Sequence, residues 1–161
     1  MPFRVRRATK ADAATISEFA LELFDLHAGW DPKRFTQIGT IDGAMRFYGD
    51  RMEAANAAVL VAEDQESIIG FAYLEYEPVL YAELAVKVAW LHDIFVKARS
   101  RGSGAGKALL AAAAEEAKQL GANKMLLTVA VGNTLGQQLF KQNGFRTTML
   151  EMMLEIENNN G

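Results

Sequence analysis

The sequence contains no cysteine among its 161 residues, and it has only two histidines, His27 and His92, which lie far apart. The absence of cysteine excludes a disulfide scaffold, a thiol nucleophile and sulfur-ligated metal sites. We therefore expect no bound metal. No apolar run reaches the ~20 residues that a transmembrane helix needs, and the first seven residues lack the apolar core of a signal peptide. We expect a cytoplasmic protein with no membrane partner.

Excess positive charge is also lacking. The chain has 17 lysines and arginines against 20 aspartates and glutamates, which gives a formal net charge of −3. Because no basic stripe is present, we expect no nucleic-acid partner, and a neutral or cationic partner fits this balance better. The composition, 50% hydrophobic and 23% charged, is that of an ordinary globular protein. The length predicts a single domain over residues 1–161.

The apolar periodicity predicts the element order β-α-α-β-β-β-α-β-α-β, a mixed sheet with helices on both faces. We expect strands at residues 3–7, 57–62, 67–76, 86–96, 124–131 and 145–156. We expect helices after a cap at Thr9 and at residues 42–56, 108–120 and 134–142. A polar turn at 63–66 joins two of the strands, and residues 157–161 form a frayed tail. The fold class is therefore α/β (α+β).

The most informative segment is a glycine-rich turn between the fourth strand and an alanine-rich helix. It consists of Arg101, Gly102, Ser103, Gly104, Ala105, Gly106 and Lys107. Glycines let successive backbone N–H groups converge on an anion, and the helix N-terminus adds partial positive charge. The turn is not a P-loop, because Ala108 stands where that motif has Ser or Thr, and a dinucleotide fingerprint would need a third glycine at Lys107. These features predict a pyrophosphate cradle without ATP and magnesium.

A second block follows at residues 133–145, Asn-Thr-Leu-Gly-Gln-Gln-Leu-Phe-Lys-Gln-Asn-Gly-Phe. It resembles the pattern Asn-x-x-Ala-x-x-Leu-Tyr-x-x-x-Gly-Phe of the GNAT family, the Gcn5-related N-acetyltransferases. Residues 101–106 resemble that family's Arg/Gln-x-x-Gly-x-Gly/Ala signature. The resemblance implies an acetyl-CoA-dependent N-acetyltransferase. It also implies a GNAT-like, mostly antiparallel central sheet that splays between strands four and five.

The same resemblance implies roles for individual residues. The N–H groups of residues 102–107 would hold the pyrophosphate of coenzyme A, and the backbone of Ile94 to Val96 would pair with its pantetheine arm. The N–H of Phe95 or of a neighbour would polarise the thioester carbonyl, and Asn133 would contact the pantetheine or start the adjoining helix. The implied cofactor-binding set is Ile94, Phe95, Val96, Arg101, Gly102, Ser103, Gly104, Ala105, Gly106, Lys107, Asn133 and Phe140.

The expected catalytic residues are His92, Asp93 and Phe95, in the segment Trp-Leu-His-Asp-Ile-Phe-Val of the fourth strand. This segment resembles Leu-Glu-Asp-Phe-Phe-Val of diamine acetyltransferases, whose glutamate is the proposed base, and His92 stands at its position. A histidine of pKa near ~6.5 suits a base at physiological pH.

The alternatives remain open at this stage. Alternation places His92 on the strand face of Val88, Trp90, Ile94 and Val96, so it is either the base or a core histidine. Asp93 points to the opposite face and is either substrate-facing or paired. Glu75 and Glu77, at the end of the third strand, are weaker candidates.

One residue departs from the family pattern. Phe140 replaces the tyrosine that protonates the departing thiolate, and a phenyl ring cannot donate a proton. Acids and aromatic residues in the first two helices and at 76–85, with His27 among them, favour a small cationic amine as acceptor. The alternatives are a protein N-terminus or lysine, or a non-catalytic acyl-CoA-binding module. The methionine-rich last strand, with Met149, Met152 and Met153, predicts an edge that pairs with a second copy in a homodimer.

Overall fold

The computed structural model describes residues 3–65 and 67–158. Its strands and main helices are β1 (Arg4–Arg7), α1 (Ala13–Trp30), α2 (Ile41–Glu53), β2 (Ala57–Glu63), β3 (Ile68–Leu80), β4 (Ala85–Val96), α3 (Ala105–Leu120), β5 (Lys124–Leu126) and α4 (Thr134–Gln142). The five strands form one sheet in sequence order. The pairs are antiparallel from β1 to β4, and β4 and β5 are parallel. The predicted mixed, mostly antiparallel sheet is confirmed.

Helices cover both faces of this sheet, because alternate strand residues feed two separate cores. On one face, Leu74 of β3 belongs to the same buried cluster as Leu109 of α3. On the other face, Phe71 of β3 lies with Ile16 of α1 and Tyr48 of α2. The strands between the two helical layers are therefore apolar on both sides, as the sequence of residues 86–96 predicts.

The sheet opens between β4 and β5, where the sequence predicts a splay. Their parallel pairing is confined to Val88–Trp90 against Lys124–Leu126. β4 continues to Val96 with β3 as its partner on the other side. The stretch of β4 from residue 91 to 96 thus has an open edge toward residues 127–132. This opening confirms the predicted splay and creates the cleft in which the candidate site lies.

A β-bulge interrupts β4 beside this opening. Tyr73 pairs with Asp93 and Leu74 with Leu91, so His92 is the extra residue of the ladder. Because of the bulge, Leu91 and Ile94 both contribute to the core on the α3 side. The prediction that His92 shares its strand face with Ile94 and Val96 is therefore wrong. A bulge re-aims a side chain at such a point.

Two predicted strands differ from the structure. The strand expected at 124–131 has ladder pairing only over Lys124–Leu126, and the one expected at 145–156 belongs to no ladder. Its side chains are exposed, including Leu150 and Met152. Elsewhere β3 is longer than predicted and α3 begins three residues earlier, at Ala105. Part of the predicted turn (Glu66) and of the predicted tail (residues 159–161), with residues 1 and 2, lie outside the described residues.

Candidate active site

The glycine-rich turn joins β4 to α3 in the conformation that an anion cradle needs. Gly102 and Gly104 have φ of 79° and 95°, a left-handed region that favours glycine. α3 starts at Ala105 with Gly104 as its N-cap, and Ser103 Oγ accepts from the N–H of Ala105 at 3.4 Å. The N–H groups of Gly102, Gly104, Gly106 and Lys107 have no acceptor within the described residues. Four free amides at a helix N-terminus form an anion-binding arc.

Two side chains of the turn stabilise it rather than face a ligand. Ser103 Oγ donates to the carbonyl of Ser100 at 2.6 Å, which closes the turn. Arg101 Nε donates to the carbonyl of Val96 at 2.9 Å, and its guanidinium lies over the Phe95 ring at 5.6 Å. Arg101 therefore fixes the end of β4 to the turn.

Successive backbone N–H groups of β4 point alternately toward β3 and toward the open edge. Lys97 N–H donates to Ile69 at 2.9 Å, so in an antiparallel ladder Phe95, two residues earlier, also exchanges hydrogen bonds with β3. Ile94 and Val96 consequently direct their N–H groups toward the cleft. The N–H of Phe95 is engaged in the sheet, and only its neighbours are free to polarise a bound carbonyl.

The cleft itself brings together residues from α1, β4, the segment after β5, and α4. Five residues singled out in the sequence lie on its wall, namely His27, His92, Ile94, Asn133 and Phe140. The remaining lining consists of Leu23, Leu91, Leu127, Thr128 and Val129. Sequence analysis placed His27 only in the general acceptor region and did not single out residues 127–129, because nothing local indicates that they form the wall of a splay.

His92 lies exposed at the mouth of this cleft and stacks on Tyr73, with ring centroids 5.1 Å apart and an interplanar angle of 21°. Burial lowers the pKa of His92, whereas the nearby carboxylates of Glu75, Asp93 and Glu77 oppose the shift. The net direction is downward from 6.5, so the imidazole is neutral at pH 7 and able to accept a proton. The geometry thus favours the base over the core histidine.

Asp93 is paired rather than free. Tyr48 Oη donates to Asp93 Oδ2 at 2.7 Å. Burial raises the pKa of Asp93, and the hydrogen bond from Tyr48 only partly offsets it. The same burial, together with the Asp93 charge, raises the pKa of Tyr48. Of the two alternatives, the structure favours a paired carboxyl that links β4 to α2.

Glu75 forms a second polar centre beside His92. Arg51 Nη1 donates to its Oε1 at 2.6 Å, and Tyr73 Oη donates to the same oxygen. Burial would raise the pKa of Glu75, but these two hydrogen bonds outweigh it and lower the pKa. Glu75 is therefore a permanent anion next to the imidazole.

Residues of α4 and α1 complete the wall. Asn133 caps α4, its Oδ1 accepting from Gly136 N–H at 2.9 Å, which confirms that it starts this helix. Phe140 is buried and packs against Phe145 with centroids 5.8 Å apart. His27 Nδ1 lies 2.8 Å from the carbonyl of Leu23. Because a carbonyl only accepts, Nδ1 carries the proton and a neutral His27 ring has its lone pair on Nε2.

Within residues 3–65 and 67–158, no group of three or more metal-ligating side chains occurs. No helix in the same ranges is long and apolar enough to cross a membrane. A sheet that opens between β4 and β5 beside an arc of amides without acceptors is the geometry expected of a protein that binds a phosphate-bearing ligand.

Comparison with known proteins supports this class. Residues 20–145 match the model of the acetyltransferase (GNAT) family. The uncharacterized N-acetyltransferase YhfO of Bacillus subtilis (strain 168) is 31% identical over 141 residues, which cover 88% of this chain and 88% of that protein.

Solved structures share the fold at lower identity. A mutant form of the BH1408 protein from Bacillus halodurans matches with a TM-score of 0.81 and 18% identity over 96% of this chain and 99% of that one. The aminoglycoside N-acetyltransferase AAC(6')-Iy, in complex with the bisubstrate analog CoA-S-monomethyl-acetylneamine, matches with a TM-score of 0.72 and 21% identity. That match covers 98% of this chain and 100% of the other.

The chain therefore belongs to the GNAT family of acetyltransferases. The predicted family, the predicted fold and the expectation of an acetyl-CoA-dependent enzyme are confirmed at the level of that family.

Proposed function

We propose that residues 1–161 form a single acyl-CoA N-acyltransferase domain that moves the acetyl group of acetyl-CoA to a primary amine. The observation that carries the proposal is the continuity of the cleft. The open edge of β4 runs from His92 to Val96, and the turn that follows ends in four unbonded amides. A thioester held along that edge, with its diphosphate on the amides, would have its reactive end near His92.

The residues present fit such a donor. The free amides of the turn, from Gly102 to Lys107, would bind the pyrophosphate, as backbone cradles do in other nucleotide sites. Ile94 and Val96 face the cleft with their N–H groups and would pair with the pantetheine amides. One of these two N–H groups, rather than that of Phe95, would donate to the thioester oxygen and stabilise the negative charge that develops there.

His92 would act as the general base. In a ternary complex the amine nitrogen attacks the thioester carbon, the C–S bond breaks, and the amine proton passes to the imidazole directly or through one water. A neutral imidazole beside the permanent anion Glu75 suits this role, because the carboxylate stabilises the imidazolium that forms. Asp93, already paired with Tyr48, would position β4 and would not exchange the proton itself.

The leaving thiolate would take its proton from water or from the imidazolium. Phe140 lines the cleft but carries no proton to donate. A thiol of pKa near ~8.5 leaves without strong acid assistance. The replacement therefore lowers the expected rate without removing the activity.

The acceptor class that fits best is a small cationic amine. Glu75, Glu77 and Asp93 all act on His92 electrostatically, so the mouth of the cleft attracts a cation. The partly exposed ring of Trp90 lies 6.2 Å from the His92 ring and offers a cation–π contact. The fold shared with AAC(6')-Iy, an aminoglycoside N-acetyltransferase, gives the same class added support.

The test is a panel of polyamines, amino sugars, amino acids and peptides, each assayed with acetyl-CoA by release of free thiol. We expect turnover with small amines and none when the amine is omitted. Turnover with peptides alone would indicate a protein N-terminal or lysine acetyltransferase. Calorimetric binding of acetyl-CoA without turnover on any amine would indicate a non-catalytic binding module, and no binding at all would refute the proposal.

Two further expectations remain predictions. One is a cytoplasmic location, which fractionation of the cells that express the protein would check. The other is a homodimer, and the segment after α4 is the surface from which it would form.

A further inference from the structure

Phe140 leaves one step of the proposed transfer without a protein group. The attacking amine has a proton acceptor in His92, but the departing sulfur has no proton donor at this position of α4, because a phenyl ring carries none. The cleft that both residues line is small, about 50 Å³. A group bound there approaches all of its walls, so a donor on another wall would reach the sulfur.

His27 brings a second imidazole to this cleft, from the last turn of α1. Its Nδ1 donates to the carbonyl of Leu23 at 2.8 Å, which leaves the lone pair of the neutral ring on Nε2. Nε2 has no hydrogen-bond partner within residues 3–65 and 67–158. In the same ranges no buried polar side-chain atom lacks a partner. Nε2 is therefore accessible, and His27 presents it at the cleft that its side chain lines.

The His27 ring is held in one orientation by contacts on its other sides. The rings of Trp30 and Phe35 pack edge-to-face against it, with centroids 4.9 and 5.0 Å away and interplanar angles of 71° and 73°. The hydrogen bond to Leu23 fixes the rotation of the ring. A fixed ring with one accessible nitrogen is the arrangement expected of a group that acts on a bound ligand.

We propose that His27 carries a proton from the incoming ammonium group of the acceptor to the sulfur of coenzyme A. This inference rests on the acetyl transfer proposed above, and it names the proton donor for the last step of that transfer. His27 then supplies, from α1, what Phe140 does not supply from α4.

The protons of this sequence balance. The acceptor arrives as an ammonium ion, gives one proton to Nε2 of His27 and becomes a neutral amine. Its nitrogen attacks the thioester carbon, the C–N bond forms, the C–S bond breaks, and a second proton passes from nitrogen to His92. The imidazolium of His27 protonates the thiolate and returns to its neutral form. His92 releases its proton to solvent, which is the single proton that the overall reaction produces.

The position of His27 suits a ring that is charged for part of the cycle. It lies in the last turn of α1, where the terminal carbonyls of a helix carry partial negative charge and stabilise a cation. His27 also acts electrostatically on Asp93, the residue next to His92 in β4. The second imidazole is therefore close enough to β4 to take part in the same reaction.

The test varies the leaving group. His27→Asn removes Nε2 and keeps a side-chain N–H for the Leu23 carbonyl. Acetyl-CoA is compared with the analogue in which selenium replaces the thioester sulfur, because a selenolate is a much weaker base and leaves without an acid. The amine is the one with the highest turnover in the panel above. With acetyl-CoA, His27→Asn should lower the single-turnover rate about 10²-fold, the low end of what a general acid contributes.

With the selenium donor most of this loss should disappear, because solvent can take the first proton before the amine binds. The matched control is His92→Asn, the same replacement at the other histidine of the cleft. It should slow both donors by the same factor, since His92 acts on the attacking nitrogen. Phe140→Tyr should raise the rate of the His27→Asn chain more than that of the wild type, because the phenol and His27 would be alternative acids for one step.

The outcomes separate this inference from the function on which it rests. A His27→Asn chain that keeps its full rate with acetyl-CoA, or that is slowed equally with both donors, would overturn the role of His27 and leave the acetyl transfer in place. An equal gain from Phe140→Tyr in both backgrounds would overturn it as well. A wild-type chain with no turnover on any amine would remove both proposals. Calorimetric binding of coenzyme A by every variant shows that each is folded.

Discussion

The role proposed for His92 depends on Glu75, a carboxylate that acts on the imidazole through its charge. Glu75 is held as an anion by Arg51 and Tyr73, and its charge raises the pKa of His92 against the effect of burial. The imidazole is stacked on Tyr73, so a change in Glu75 alters the electrostatics of the ring without removing the surface on which it rests.

We therefore predict a shift of the acid limb of the pH–rate profile. A base must be unprotonated, so kcat/KM should rise with pH through the His92 pKa, which lies below 6.5, and then level off until other groups titrate. Glu75→Gln removes a charge that favours imidazolium, which lowers the His92 pKa and moves the limb to lower pH. His92→Gln should remove the limb and reduce kcat by about 10²–10⁴-fold.

The matched control is Glu115→Gln, which makes the same charge change at an exposed residue of α3. It should leave the profile unchanged. If Glu75→Gln moved the limb upward, or if His92→Gln retained full activity with an unchanged profile, His92 would not be the base. His27, whose Nε2 carries the lone pair of its neutral ring, would then be the next residue to replace.

Two features at the scale of single residues could not be predicted from sequence patterns. Period-two alternation correctly places residues 86–96 in a central strand, but it cannot reveal a bulge, because the extra residue at His92 leaves no compositional trace. The family resemblance therefore predicted the sequence position of the candidate base, but it did not predict the face of β4 on which the His92 side chain lies. The pairing of Asp93 with Tyr48, 45 positions away, depends on the tertiary packing of α2 and is equally invisible in the sequence.

At the scale of elements, the connection between β4 and α3 is the part of the site that local sequence determines most fully. Glycines at Gly102 and Gly104 allow the positive φ that the turn requires, and the alanine-rich stretch after them starts a helix at once. The predicted cradle is therefore a local structure, and the conformation of its turn could be predicted from the spacing of the glycines.

We predict that Gly104→Ala weakens binding of coenzyme A about tenfold, which corresponds to ~1.4 kcal/mol. A Cβ at this position would meet only Phe3 Cζ, at an ordinary 3.4 Å, so space is not limiting. The φ of 95° is strained for alanine, and relaxation of that strain would turn the flanking amides away from one another. Calorimetric titration with coenzyme A measures the change.

Gly144→Ala provides the control for strain alone. Gly144 has a φ of 92° and no heavy atom within 4 Å of an added Cβ, so the substitution carries a similar conformational cost at the end of α4, outside the cradle. Its affinity for coenzyme A should equal that of the wild type. Equal loss of affinity in both variants would indicate general destabilisation and would remove the support for an amide cradle.

The elements that were predicted poorly share one physical feature, the lack of a strand partner on one side. Helix periodicity placed α1, α2 and α4 within a few residues, because an amphipathic helix displays its buried face within its own sequence. A strand needs a neighbour, and the alternation at 145–156 is present although no partner strand for it occurs among residues 3–65 and 67–158. The length of β5 and the strand at 145–156 were therefore mispredicted for the same reason.

At the scale of the whole molecule, one arginine, Arg6, links the N-terminal strand β1 to the segment before α1 and to β2. Arg6 donates from Nη1 to Asp12 Oδ2 at 2.8 Å and from Nε to Glu63 Oε1 at 3.1 Å. It thereby connects β1, the turn that starts α1, and the end of β2. Asp12 is buried and also accepts from the backbone N–H of Thr9 at 2.8 Å.

This network gives a predicted dependence of stability on pH. The hydrogen bond from Arg6 is the main cause that lowers the pKa of Asp12 below 3.8, with Thr9 contributing and burial opposing. A carboxyl whose folded pKa is depressed stabilises the fold at every pH above its unfolded pKa, and this stability is lost as pH falls through the folded pKa. The free energy of unfolding should therefore decline below about pH 4, the usual range for an unperturbed aspartate.

Asp12→Asn should cost about 1.5–3 kcal/mol at pH 7, because it removes a charge-assisted hydrogen bond and leaves Arg6 with Glu63 as its one carboxylate partner. It should also flatten the decline in acid, since the titrating group is gone. Urea unfolding of both chains between pH 3 and 7 measures the two effects. Glu53→Gln, which breaks the exposed pair with Lys10, should leave stability almost unchanged, because water screens an exposed pair. An Asp12→Asn chain whose stability falls in acid as steeply as that of the wild type would show that other carboxylates control acid unfolding.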